Sequence, residues 1–81
     1  MRFKLSSDAK KYVSMQDAKT IKRIYDALRL MTKEPPQGDI EPLTSSNSLY
    51  RLRIGKFRIL YETIDNFVIV HSIDSRGQAY K

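Results

Sequence analysis

The sequence predicts an α+β fold in one domain spanning residues 1–81, a helical hairpin packed on a mostly antiparallel four-stranded sheet. Three observations carry this. Apolar residues recur at helical spacing between Ala9 and Met31, and they alternate with period two at residues 1–5 and again from Tyr50 onward. Two dipeptides suited to tight hairpin turns, Gly55-Lys56 and Asp65-Asn66, divide the second half of the chain.

Taken in order, Met1, Phe3 and Leu5 alternate with Arg2 and Lys4, the pattern of a half-buried strand. Ser6-Ser7-Asp8 then offers a helix start, and Ala9, Tyr12 and Val13 share one face of a short helix running to about Met15. Ser14-Met15-Gln16-Asp17 resembles a capping box with Asp in place of Glu and predicts the start of a second helix. Along that helix Ala18, Ile21, Ile24, Tyr25, Leu28 and Met31 fall on one side, with Lys19, Lys22, Arg23, Asp26, Arg29 and Lys33 on the other. Pro35-Pro36 ends it, because neither residue donates a helical hydrogen bond and each disfavours helical backbone before it. Residues 37–48 contain Gly38, Pro42 and the polar run from Thr44 to Ser48, and are expected to form a loop anchored by Leu43.

The stretch YRLRIGKFRILY, residues 50–61, is the most informative in the chain. Glycine followed by any residue suits a two-residue type II′ turn, so Ile54 is expected opposite Phe57, Arg53 opposite Arg58, Leu52 opposite Ile59, Arg51 opposite Leu60 and Tyr50 opposite Tyr61. One side of this hairpin is apolar; the other carries Arg51, Arg53 and Arg58 with no acid among them. Like charges directly opposite on paired strands cost a few tenths to roughly 1 kcal/mol, so Arg53 across from Arg58 calls for a reason. A bound polyanion supplies one; a solvated basic face kept for solubility is the plain alternative. The Asp65-Asn66 turn leads into an apolar strand over residues 67–73, with Ile64 expected opposite Phe67, Leu60 opposite His71 and Arg58 opposite Ile73.

Composition narrows the function. At 81 residues the core is small, and with no cysteine there is no disulfide to support it. The lack of cysteine and a single histidine, His71, exclude a zinc site of ordinary ligand type. A net charge of +6 favours an acidic partner: nucleic acid, anionic lipid or an acidic protein. No apolar run reaches membrane-spanning length, and the first residues are too broken by charge for a signal peptide, so the chain reads as cytoplasmic.

The order of elements, the helical segment KTIKRIYDALRLMTKEPP, the hairpin YRLRIGKFRILY and the closing IDSRGQAY together resemble the RelE/ParE toxin superfamily. That family typically shows a YRxRxGxYRIxY hairpin and an I-G-H-R-x-x-x-Y ending. The resemblance implies the RelE-like microbial RNase fold and the toxin of a type II toxin–antitoxin pair. RelE-like members bind the ribosomal A site and cut mRNA there without a metal or other cofactor. The partners implied are a RelB-like antitoxin, the ribosome with contacts to 16S rRNA, and mRNA; no membrane is involved.

Metal-independent cleavage uses the 2′-OH of one nucleotide to attack its own 3′-phosphate. It needs an in-line backbone, charge compensation on the phosphorane oxygens and proton transfer at both ends. Carried over by position, Arg53 and Arg58 occupy catalytic sites, with Arg58 stabilising the developing charge. Arg76 matches the arginine credited with assisting the leaving oxygen, and Tyr80 the closing tyrosine that stacks on or orients a base. Arg51 and Lys56 are expected to contact backbone phosphates, with Lys56 pointing to solvent at the turn.

The chain departs from the family pattern twice. Some active relatives have lysines where Arg51 and Arg53 stand, one of them proposed as general base, and a guanidinium with pKa above about 12 is a poor base. Asp74-Ser75 replaces a frequent Gly-His, so the histidine of the ending is missing. His71 reads as structural, since no carboxylate at a recognisable spacing orients it, and Glu62 as a surface ion-pair partner rather than a base. Tyr50 and Tyr61 read as core or rim residues. Two alternatives remain: a ParE-like toxin that binds DNA gyrase without nuclease activity, and an inactive member that only binds its antitoxin.

Overall fold

The computed structural model describes residues 2–43 and 48–75; Arg76, Tyr80 and the polar run at 44–47 lie outside the described residues. The elements are β1 (Arg2–Leu5), α1 (Ser7–Ser14), α2 (Ala18–Met31), β2 (Asp39–Pro42), β3 (Leu49–Ile54), β4 (Phe57–Ile64) and β5 (Phe67–Ser75). The sheet order is β1-β5-β4-β3-β2, with β1 parallel to β5 and the remaining pairs antiparallel. The α+β class is as expected, but the sheet has five strands, because part of the segment expected to be a loop forms β2. Pro42 is tolerated there because β2 is an edge strand, where the missing N–H removes no ladder bond.

Both helices begin on a side-chain cap. Ser6 Oγ accepts from the Ala9 N–H at 3.1 Å and donates to the His71 carbonyl at 2.7 Å, which ties the start of α1 to β5. The cap of α2 is Asp17, whose Oδ1 accepts from the Thr20 N–H at 3.0 Å. The expected capping box led by Ser14 is absent; Ser14 Oγ donates to the Lys11 carbonyl and belongs to the end of α1. An ionised Asp at the cap is favoured by the positive end of the helix dipole, which a neutral Ser cannot match. Ala18 is exposed at the first turn of α2, while Ile24, Leu28 and Met31 are buried as the spacing required. The helix stops at Thr32, ahead of the prolines, and the Gln37 N–H returns to the Leu30 carbonyl at 3.0 Å.

The core lies between the helical pair and one face of the sheet. Ala9, Val13, Ile24 and Leu28 from the helices meet Leu52, Ile59, Val70 and Ile73 from the strands, each at most 5% exposed. The β3–β4 pairing follows the expected register at every position. Gly55 supplies a φ of +56° at the first residue of that turn, and Asp65 and Asn66 both adopt positive φ, as a type I′ turn requires.

The β4–β5 pairing departs from expectation beyond its turn. Ile64 does face Phe67, but a bulge at Leu60/Tyr61 sets Tyr61 opposite Val70 and Leu60 opposite Ser72, leaving His71 as the extra residue. Arg58 therefore faces Asp74, not Ile73. The cause is burial: in an unbroken register Ile73 would lie on the open face, whereas the bulge returns it to the core at 2% exposure.

Candidate nucleic-acid interface

Period-two alternation decides which side chains reach the open face. In β4, Phe57, Ile59 and Tyr61 turn inward and are buried, so Arg58, Leu60 and Glu62 turn outward; in β3, Leu52 is buried and Arg51 and Arg53 point the other way. The helices pack on the apolar face, so Arg51, Arg53 and Arg58 lie on the face away from them, Arg53 exposed and the other two half-buried.

The hairpin has no acid near its arginines, but the strands beside it provide three. The β2–β3 register sets Asp39 opposite Arg53 and Glu41 opposite Arg51. Arg53 Nε donates to Asp39 Oδ2 at 3.0 Å, Arg51 pairs with Glu41, and Asp74 stands opposite Arg58. These acids offset the repulsion between Arg53 and Arg58. The Arg53–Asp39 side chains are 50% and 60% exposed. An exposed pair of this kind is worth about 0–1 kcal/mol, so a multiply charged ligand can exchange for it.

Arg53 and Arg58 converge. Together with Asp39 and Gly55 they line a polar recess of about 270 Å³. Arginines from two separate strands thus line one concavity large enough for a phosphate. Arg51 lies one row further along β3, outside the recess. Lys56 is not on this face: its ammonium stands 5.4 Å from the centroid of the inward-turned Phe57 ring. Hydrogen bonds from Thr20 hold the Asp17 carboxyl below its usual range, and Lys56 adds to the effect from across the turn.

His71 is oriented by a carboxylate after all. Its Nε2 lies 2.9 Å from Glu62 Oε1, and Ser48 Oγ is 3.4 Å from the other carboxylate oxygen. Glu62 is engaged by a hydrogen bond at the surface, and its partner is the residue the bulge turns outward. On the opposite, inner face Tyr50 and Tyr61 stack at 5.4 Å, and burial pushes the Tyr61 hydroxyl up to about 12.

Arg23 stands beside this turn, a placement that periodicity, which puts it only on the polar side of α2, does not reveal. Its guanidinium reaches the β3–β4 turn so closely that a Cβ on Gly55 would fall 2.9 Å from Arg23 Nη2. Only tertiary packing brings the two together.

Comparison with known proteins agrees with this architecture. A sequence model of the family described as the ParE toxin of type II toxin–antitoxin systems, parDE, matches residues 5–80. The chain is 35% identical over 65 residues to a protein of Methanocaldococcus jannaschii that bears the name toxin RelE1, covering 78% of this chain and 72% of the relative. The fold matches the archaeal RelE–RelB complex of Pyrococcus horikoshii with a TM-score of 0.79 at 21% identity, over 95% of this chain and 96% of that one. It also matches the YoeB–YefM complex of Staphylococcus aureus with a TM-score of 0.70 at 25% identity, over 89% and 92% of the two chains.

Proposed function

Because the chain belongs to the ParE toxin family of type II toxin–antitoxin systems and has a RelE-like fold, we propose that it is a ribosome-dependent endoribonuclease that cuts mRNA in the A site. The observation that carries this reading is the meeting of Arg53 and Arg58 at one polar recess on the open face.

In this reaction the 2′-oxygen forms a bond to phosphorus and the bond to the 5′-oxygen breaks. The proton leaving the 2′-OH is balanced by one gained at the 5′-oxygen, and the product is a 2′,3′-cyclic phosphate. Arg58 compensates the charge that builds on the phosphorane oxygens, the kind of preorganised contact typically worth about 10²–10³ in rate. Arg53 positions and neutralises the same phosphate; as a guanidinium it does not take the 2′-OH proton. That proton passes to another group or to the ribosome. Arg76 assists the leaving oxygen and Tyr80 stacks on a base, both from the closing segment. Arg51 contacts a neighbouring phosphate once Glu41 is displaced, and Lys56 contacts the backbone from the turn.

The chain acts in the cytoplasm, on mRNA and against 16S rRNA. It is neutralised by a RelB-like antitoxin, by analogy with the RelE–RelB complexes that share its fold. An acidic or amphipathic antitoxin segment suits a partner of net charge +6.

The match to a ParE family favours one second reading, inhibition of DNA gyrase by binding alone. Purified protein added separately to programmed ribosomes and to a gyrase supercoiling reaction decides between them. Cleaved mRNA with unaffected supercoiling supports the nuclease, and the reverse supports the gyrase reading. Antitoxin binding with neither effect marks an inactive member.

A further inference from the structure

We propose that Arg23 is a further phosphate-binding residue of the hairpin tip, holding the RNA backbone beside the phosphate gripped by Arg53 and Arg58. This rests on the RNA-binding part of the reading above and extends it to a residue from the helical layer.

Gly55 forms one wall of the polar recess, and the Arg23 guanidinium lies against the same glycine, with Nη2 2.9 Å from where a Cβ would be. The absence of a side chain at 55 therefore serves the turn and also gives Arg23 room to reach it. Arg53 and Arg58, from β3 and β4, line the recess with Gly55, and Arg23, from α2, lies against that same glycine.

Several cations near Arg23 already hold an acid, and Arg23 does not. On α2, Lys22 and Arg29 both engage Asp26, and on the sheet Arg53 engages Asp39 and Arg51 engages Glu41. Among the described residues no carboxylate forms an ion pair with Arg23. Asp17, the acid at the start of α2, is committed to Thr20 and feels Lys56. An exposed guanidinium with no ion pair to give up can take a phosphate at no cost in existing contacts. A strand running round the tip supplies one, since successive phosphates carry successive charges.

The test is equilibrium binding over a salt series, using a single-stranded RNA methylated at every 2′-oxygen, and separately ribosomes without mRNA. Wild type is compared with Arg23→Gln, Arg23→Lys and the control Lys22→Gln. Arg23→Gln is expected to flatten the dependence of log affinity on log salt by about 0.7 for a single-strand phosphate and to weaken low-salt binding about five- to tenfold, with Arg23→Lys restoring most of both. A change on the free strand assigns the phosphate to mRNA, and a change on ribosomes alone assigns it to rRNA. Equal slopes for wild type and Arg23→Gln on both RNAs, or an equal change in Lys22→Gln, overturn the proposal. Neither RNA is cut, so the outcome is independent of the nuclease chemistry. A flattened slope without mRNA cleavage keeps Arg23 and removes the nuclease, while cleavage with equal slopes does the opposite.

Discussion

Arg53 Nε donates to Asp39 Oδ2 at 3.0 Å, so a cation at the recess is held by an acid on the sheet's edge strand. Glu41 makes the matching pair with Arg51, and β2 thereby lays two carboxylates where phosphate oxygens would bind. Under the proposed RNA-binding reading, the edge strand would act as an intramolecular competitor of the polyanion.

Asp39→Asn is accordingly expected to tighten RNA binding about two- to fivefold, the equivalent of losing a competitor worth up to about 1 kcal/mol. Stability should change by less than that amount. Titration with labelled RNA and a thermal melt check both. Unchanged affinity would show that the carboxylate does not stand in the ligand's way.

Arg58→Ala is expected to lower cleavage by about 10²–10³ and to abolish growth arrest on expression, because preorganised charge opposite the reacting phosphate is lost. Arg76→Ala should abolish growth arrest as well. Circular dichroism should show the Arg58 variant folded, since this side chain lies on the open face outside the apolar core. If both variants arrest growth like wild type, the catalytic assignment is wrong.

Ile59 is fully buried at the centre of the sheet, and Ile59→Ala should remove about 2–5 kcal/mol of stability in urea denaturation. In a small domain that is a large share of the total. Ile64 is 46% exposed, and Ile64→Ala should cost far less. Equal effects would contradict the core described above.

Tyr61 provides a pH test. Its hydroxyl is pushed up to about 12, first by burial and then by Tyr50, against an ordinary value of 10.0. The folded state therefore holds this proton more tightly than the unfolded chain. Its contribution is fully present below pH 10 and is lost as pH rises from there towards 12. Tyr61→Phe should soften the fall in stability over that window, measured by denaturant melts at a series of alkaline pH values. An identical alkaline slope in the variant would show that Tyr61 ionises as freely folded as unfolded.

Much of this was legible in the sequence because local chemistry determined it. Gly55 and the alternation around it specify the β3–β4 register, and with it the outward direction of Arg51, Arg53 and Arg58. The rest depends on contacts between distant segments. Strand β2 is four residues long, includes a proline, and exists through pairing with β3. The bulge that turns His71 toward Glu62 arises because Ile73 must be buried, a demand that appears only once the helical layer is in place. Arg23 meets Gly55 through packing of α2 against the hairpin, which no spacing rule encodes. Arg76 and Tyr80 lie outside the described residues, so their part in the site rests on the family resemblance.

The most direct measurement of the central claim is chemical mapping of mRNA ends after purified protein is added to programmed ribosomes. The expected result is cleavage within the A-site codon, leaving a 2′,3′-cyclic phosphate and a free 5′-OH, strongly reduced in Arg58→Ala. Intact mRNA on ribosomes that have demonstrably bound the protein would contradict it.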